Sequence, residues 1–254
     1  NKRGQVSMKS IEITSSTICG VLYGILGYLV YLFMPITTPG VGVVRFWPVV
    51  VIPAVFASIF GPLVGGLGAA IGIFISDILI HGDPLLSLFA GVTANFVGFY
   101  LLGYISRKRI DWTKSIAVTS IVLMTFFAVL EYILLTYFSI GAAALFLGLS
   151  IVSYAMMVAV GCFYTRWRSY CIASTIGLLV GSTIIGFAVW AYSQILYLPA
   201  VIGVNAKLPL YAALIWQIWT YATEIPFLII LGPPIISVCL RALPQINSFE
   251  DVGH

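Results

Sequence analysis

Six ionisable side chains lie inside or at the edges of long apolar runs, and they are the first candidates for chemistry in this chain. They are Arg45, Asp77, His81, Asp83, Glu131 and Glu224. Asp77 and His81 are four residues apart, so they share one face if their run is helical. An ionisable group inside a membrane costs about 2.5–3.5 kcal/mol on insertion scales, and it therefore indicates a functional role by default.

Several kinds of chemistry can be weighed on these residue types. Asp77, His81 and Asp83 offer one nitrogen and two carboxylates to a divalent cation. However, the chain has only two histidines, no H-E-x-x-H, no G-x-S-x-G and no Walker A sequence, and its four cysteines form no C-x-x-C pair. We therefore expect no enzyme, no metal centre and no cofactor. A loosely held divalent cation or a cationic substrate stays open.

The composition indicates a membrane protein. Of the 254 residues, 61% are hydrophobic and 8% are charged, with a mean hydropathy of +1.10. A soluble domain carries about 25% charged residues. The net charge of +4 comes from scattered Lys and Arg at the ends of apolar runs, not from a basic face, so a nucleic-acid partner is not expected. We predict a single integral membrane domain over residues 1–254, with lipid around it.

Eight apolar segments are long enough to be considered as helices. They lie at 14–34, 46–60, 62–80, 85–105, 115–138, 142–164, 171–197 and 209–240. The second is short and contains Pro48 and Pro53, so we expect a tilted, broken or re-entrant helix. The last contains Gly232-Pro233-Pro234, which predicts a kink or an end near Leu231. The strict alternation of a membrane barrel is absent, so the fold class is an all-α polytopic bundle of about six to eight transmembrane helices.

The distribution of cations predicts how these segments are oriented. If the N-terminus is cytoplasmic and all eight segments alternate, ten of the twelve Lys and Arg residues are cytoplasmic. Only Arg45 and Lys207 then lie outside. We therefore predict a multi-pass protein of the cell membrane with both termini inside, residues 1–13 and 242–254 being cytoplasmic tails.

This orientation gathers polar and aromatic side chains near the outer surface. These side chains could form a pocket that opens to the outside of a hydrophobic bundle, which is what a small-molecule site requires. The alternative is an interfacial belt of aromatic residues with charged helix ends, which leaves Glu131 unexplained. The predicted substrate contacts are Arg45, Trp47, Asp77, His81, Asn95, Glu131, Lys207 and Gln217.

Small residues recur at four-residue spacing on the first segment, at Ser16, Gly20 and Gly24. Such a stripe lets helix backbones approach closely in lipid. The stripe is explained either by packing within the chain or by docking against another protein.

The run from Arg45 to Asp77 resembles the substrate-binding S component of energy-coupling factor (ECF) transporters. In that family a short proline-containing helix leads into Phe-Gly-Pro, here Phe60-Gly61-Pro62, then a glycine-rich helix and an acidic residue. The stretches Glu224-Ile-Pro and Leu231-Gly-Pro-Pro-Ile are similar to the last helix of the family. The resemblance covers roughly residues 14–110 and 209–242.

The resemblance implies a function in import. S components capture a vitamin, a vitamin precursor or a transition-metal ion outside the cell, and they pass it to a T component with two ATPase subunits. Ser16, Gly20 and Gly24 would then dock on the T component, and the loop at about 35–46 would be a lid. S components usually have six helices, so the pair in excess falls within 115–197.

Two other functions stay open on the sequence alone. One is a stand-alone secondary carrier in which Glu131 and Glu224 couple transport to protons, although no inverted repeat supports it. The other is a non-transporting subunit of a larger membrane complex, whose glycine stripes are interfaces.

Overall fold

The computed structural model describes residues 2–36, 45–199 and 207–242, and these residues form an all-α bundle, as predicted. The helices are α1 (Lys2–Phe33), α2 (Val51–Phe60), α3 (Pro62–Ile80), α4 (Pro84–Leu86), α5 (Thr93–Ser106), α6 (Trp112–Tyr137), α7 (Ile140–Phe163), α8 (Arg168–Ile195) and α9 (Leu210–Ala242). A π-helical segment, Ser87–Val92, joins α4 to α5 in one continuous rod. The predicted lid lies mostly outside the described residues, as does most of the predicted C-terminal tail.

In the described part of the chain, seven helices are long and apolar enough to cross a membrane. A shorter apolar segment, Pro48–Phe60, consists of α2 and the 3-10 turn before it. At 1.5 Å per residue this segment is about 20 Å long, whereas the hydrocarbon core of a membrane is about 30 Å thick. Trp47, just before this turn, lies against Gly27 of α1, and Ala57 lies against Gly65 of α3. The short segment therefore runs from the end of α1 towards the start of α3.

Contacts between neighbouring helices fix their relative directions. Helices α1 and α3 are parallel because Cys19 lies beside Gly68 and Gly24 beside Gly72. Helix α5 is antiparallel to α3 because Phe96 lies beside Gly66 and Gly103 beside Pro62. Helices α8 and α9 then alternate in the same way. One end of the bundle, which we call the cation-rich end, carries Arg107, Lys108, Arg109, Lys114, Arg166, Arg168 and Arg241. Its assignment to the cytoplasm stays a prediction from the positive-inside rule.

Two helix ends differ from the sequence prediction. The first helix begins at Lys2 and not near residue 14, since a polar stretch can continue a helix that the search for apolar residues does not detect. The last helix continues through Pro226 and the Gly232-Pro233-Pro234 stretch to Ala242. Pro226 has no N–H for the carbonyl of Ala222, and Ser153 of α7 donates to that oxygen instead, at 2.7 Å.

The small-residue stripe of α1 packs inside the protein. Ser16, Gly20 and Gly24 are buried, and the last two lie against Ile71 and Gly72 of α3. The stripe therefore packs against α3 in this structure, and docking of the stripe on a partner stays a prediction. Spacing alone could not separate these cases, because both need the same close backbone approach.

Gly24→Ala is expected to destabilise the bundle by about 1–2 kcal/mol. The added Cβ would stand 2.8 Å from the carbonyl oxygen of Gly72, a backbone atom that cannot rotate away. Thermal unfolding in detergent measures the change, and Gly148→Ala on α7 is the matched control because its Cβ would meet no atom within 4 Å. Equal unfolding temperatures for the two variants would contradict the tight contact between α1 and α3.

Candidate functional site

A cavity lies among α1, α3, α5, α8 and α9, in the part of the bundle away from the cation-rich end. It has a volume of about 120 Å³. One water needs roughly 10–15 Å³ in such a cavity, so the space suits a small organic molecule better than a single ion. Its polar walls are Arg45, Asp77, His81, Asn95 and Glu224, and its aromatic walls are Tyr23, Tyr31, Trp47, Phe99 and Trp216.

Asp77 is the centre of the first polar network of this cavity. Its side chain is almost fully buried at the end of α3, where it forms an ion pair with Arg45. Its other oxygen accepts a hydrogen bond from Ser87 Oγ at 2.8 Å. His81 Nε2 lies 3.6 Å from Asp77 Oδ1, one helical turn later. Buried charge is tolerated here because the carboxylate is both paired and hydrogen-bonded.

The turn after α3 orients His81 and joins it to α8. The Asp83 N–H donates to His81 Nδ1 at 3.2 Å, which places the ring proton on Nε2, facing Asp77. The Asp83 carboxylate caps α4 by accepting from the N–H groups of Leu85 and Leu86, each at 3.0 Å. Tyr192 of α8 donates to the same carboxylate at 2.8 Å.

These donors set the pKa of Asp83. Desolvation raises this pKa. The hydrogen bonds from the Leu86 N–H, the Tyr192 hydroxyl and the Leu85 N–H lower it by more than desolvation raises it, so the pKa of Asp83 lies below its ordinary value. A carboxyl whose pKa is lower in the folded state contributes stability above its unfolded pKa, about 3.9, and loses it as the pH falls.

Acid unfolding is therefore expected to depend on Asp83. The wild type should lose stability as the pH falls below about 4, and Asp83→Asn, which keeps a capping oxygen but has no charge, should show a smaller loss over that window. Unfolding in detergent between pH 6 and 3 measures this. The control is Asp111→Asn, which makes the same change at another aspartate that caps a helix, α6, at the cation-rich end. Identical pH profiles for wild type and Asp83→Asn would contradict the role of these hydrogen bonds.

A second network crosses the cavity from the segment before α2 to α5. Trp47 Nε1 donates to the Tyr23 hydroxyl at 2.9 Å, and this hydroxyl donates to Asn95 Oδ1 at 2.8 Å. Asn95 Nδ2 then donates to the carbonyl of Gly91 at 2.9 Å. Each donor in this series of three hydrogen bonds meets a single acceptor, so the direction of each hydrogen bond is fixed.

Both networks end on the π-helical segment Ser87–Val92. Asp77 accepts from Ser87, and Asn95 donates to Gly91. A Cβ at Gly91 would stand 2.5 Å from Asp77 Oδ2, so only glycine permits this approach. Short π-helical stretches occur frequently at functional sites, and this one brings backbone to the cavity wall beside the ion pair.

Glu224 lines the cavity without a partner. It is 6% exposed, and no residue in the described part of the chain forms an ion pair or a hydrogen bond with its carboxylate. Nη1 of Arg45 is also buried without a hydrogen-bond partner in the described residues. Among the described residues, the cavity therefore has one donor and one carboxyl group without a partner.

Comparison with known proteins identifies no relative. No family model, curated protein or solved structure matches this chain. The resemblance to S components therefore stays an expectation from sequence motifs, and the functional argument depends on the cavity itself.

The structure brings together five of the eight predicted contacts. Arg45, Trp47, Asp77, His81 and Asn95 all line the cavity.

The other three predicted contacts do not line this cavity, and their role in substrate binding stays a prediction. Glu131 is exposed on α6, Lys207 is exposed before α9, and Gln217 is buried outside the cavity, where its Nε2 donates to Thr183 Oγ1 at 2.6 Å. Position along an apolar run predicts depth in the membrane, but it does not predict which face of the helix turns inward.

Several residues that line the cavity were not among the predicted contacts. Tyr23 and Phe99 stand in apolar runs where aromatic residues are common, so nothing in the sequence distinguished them. Glu224 is one of the six ionisable candidates in the sequence, but it was not among the predicted substrate contacts. The cavity reaches it because it extends far along α9, from Trp216 through Thr220 to Glu224.

Proposed function

We propose that this chain is a substrate-binding membrane subunit for uptake. It captures a vitamin, a vitamin precursor or a similar small molecule in the cavity from the outer side of the membrane. It then passes the molecule to an ATP-driven ECF module that consists of a T component and two ATPase subunits. The supporting observation is the cavity: a concave, mainly apolar and aromatic space with a few convergent polar groups is typical of a small-molecule site.

The helices that build the cavity support the same proposal. No lining residue belongs to α6 or α7. Without this pair, six helical segments stay, namely α1, α2, α3, the rod Pro84–Ser106, α8 and α9. S components usually have six helices, and the excess pair was expected within 115–197. The pair α6 and α7 fits that expectation as a peripheral addition.

Each polar wall has a role in this proposal. Nη1 of Arg45, which has no hydrogen-bond partner among the described residues, donates to an acceptor on the substrate. The Trp47 ring, whose centroid lies 4.9 Å from the Arg45 guanidinium, forms the adjacent wall. Asp77 holds Arg45 in place, and His81 and Asn95 present further polar atoms beside them. These roles favour a binding protein, since none of the groups is arranged as a nucleophile with a base.

The face that meets the T component needs a new assignment. Docking through Ser16, Gly20 and Gly24 would require α1 to separate from α3. The opposite face of α1 presents exposed apolar side chains, among them Ile18, Leu22 and Ile25. This face contacts lipid in the free protein, and it is the part of α1 that a membrane partner can reach.

Native mass spectrometry of the gently solubilised protein, purified from its own membranes, tests the proposal. We expect one small molecule per chain together with a T-like membrane protein and ATPases. The Glu131→Gln variant should retain the molecule, because Glu131 is outside the cavity. A chain without ligand and without ATPases, but bound to other membrane subunits, would refute the proposal and favour the structural subunit.

A secondary carrier is the second candidate, and one observation favours it. Glu224 is an unpaired carboxyl group in the cavity, as a proton-coupled carrier requires. Its supposed partner Glu131 is on the surface of α6, so the coupling would depend on Glu224 alone. Uptake into proteoliposomes that lack any ATPase, abolished by a protonophore, would establish the carrier.

A further inference from the structure

Glu224 occupies the deep part of the cavity and is built into its wall. It follows Trp216 and Thr220 at intervals of four residues on α9, and all three line the cavity, so they form one face of that helix. Glu224 is more than nine-tenths buried, and no hydrogen bond or ion pair joins its carboxyl group to another residue in the described part of the chain. A buried polar group normally has a hydrogen-bond partner, and an exception requires an explanation.

One of the two carboxyl groups that line the cavity has no ion-pair partner among the described residues. Arg45 and Asp77 form an ion pair and neutralise each other. His81 lies beside the same carboxylate, with its Nε2 3.6 Å from Asp77 Oδ1. Among the described residues that line the cavity, Glu224 is the acidic group outside an ion pair. Arg45 is not within the 4.0 Å of an ion pair with it.

The walls of this cavity suit an organic cation better than a metal ion. Phe99 and Trp216 line the same cavity, and aromatic faces attract ammonium groups. Hard metal ions require several oxygen ligands. In the described residues no group of three His, Cys, Asp or Glu side chains could hold a metal ion.

We propose that the cavity binds a small organic cation, a protonated amine or a protonated nitrogen heterocycle, with its charged nitrogen on Glu224. The inference assigns a substrate class to the binding protein proposed above, and it rests on that function. Glu224 supplies the counter-charge, the aromatic walls enclose the apolar part, and Nη1 of Arg45 receives any acceptor at the other end.

Three probes of nearly equal size test the charge preference: benzylamine, which is protonated at pH 7, benzyl alcohol and benzoate. Binding is measured by calorimetry and by tryptophan fluorescence on the full chain in phosphatidylcholine nanodiscs, since Trp47 and Trp216 line the cavity. We expect benzylamine to bind at least tenfold more tightly than benzyl alcohol, and benzoate to bind most weakly.

Matched variants assign this preference to Glu224. Glu224→Gln should bind benzylamine and benzyl alcohol equally, whereas Glu131→Gln, the same chemical change on the surface of α6, should keep the wild-type preference. Glu224→Asp keeps the charge and should retain part of the preference, which provides a second readout if the glutamine variant folds poorly.

The possible outcomes distinguish a failure of the cation site from a failure of the proposed import function. The absence of any preference for benzylamine in the wild type, or its persistence in Glu224→Gln, overturns the cation site. A cation preference in a protein that never associates with ATPases leaves the site intact and refutes only the import subunit. An imported substrate that is neutral or anionic, with an affinity unchanged in Glu224→Gln, refutes only the cation site.

Discussion

Asp77→Asn is expected to destabilise the protein by about 3 kcal/mol and to abolish tight binding of the ligand. Removing one partner of a buried ion pair leaves the other charge uncompensated, which costs about 3–5 kcal/mol. The lower end applies here because the Arg45 side chain is 19% exposed and water reaches part of it. Binding fails because Arg45 and Ser87 both lose the carboxylate that holds them at the cavity wall.

A double-mutant cycle separates this effect from a general loss of packing. Arg45→Met in the Asp77→Asn background removes the stranded charge, so the double variant should be more stable than Asp77→Asn alone. Chemical unfolding in detergent gives the free energies, and retention of the co-purified ligand gives the binding. Additive losses of stability would show that the two side chains do not act as a pair, and full ligand retention in Asp77→Asn would remove Asp77 from the site.

The helices could be predicted from the sequence because each apolar run is bounded by proline, glycine or charged residues. The eight predicted segments correspond to helical segments of the structure, with the differences at Lys2 and after Leu231 described above. Hydropathy reports burial from water, and in a membrane bundle this property defines the spans. It does not report the polar turns that extend a helix beyond the lipid.

The residues of the site were predictable where sequence spacing sets geometry. Asp77 and His81 share a helical face because they are four residues apart, and they meet as expected. Glu131 and Glu224 look alike in sequence, as single carboxyl groups deep in apolar runs, yet only Glu224 faces the cavity. The difference depends on how each helix is rotated against its neighbours, which is a property of the packed bundle.

The π-helical segment could not have been predicted either. Nothing in Ser87–Val92 distinguishes it from an ordinary apolar helix. Its hydrogen bonds to Asp77 and Asn95, which come from α3 and α5, accompany the altered backbone. The small-residue stripe of α1 illustrates the same limit, since its spacing predicts a close contact but not the identity of the partner.

Tyr23→Phe removes one oxygen atom and is expected to cost about 2 kcal/mol of stability and to weaken ligand binding at least tenfold. The Tyr23 hydroxyl both accepts from Trp47 and donates to Asn95, so its loss leaves two polar groups without a partner. Each such group costs about 1–3 kcal/mol when buried. The sum stays near the lower end because both groups border the cavity, where water can replace part of the hydroxyl.

Tyr154→Phe provides the matched control for this prediction. The Tyr154 hydroxyl also forms a hydrogen bond, with Ser120, but it joins α6 to α7 outside the cavity. We expect this variant to lose about 1 kcal/mol and to bind ligand like the wild type. Unfolding in detergent and ligand titration on both variants measure the two effects. If both variants lost affinity equally, the loss of affinity would be caused by the lower stability of the protein and not by the missing Tyr23 hydroxyl. A loss confined to Tyr23→Phe would show that the hydrogen-bond chain from Trp47 to Gly91 positions the cavity wall against the ligand.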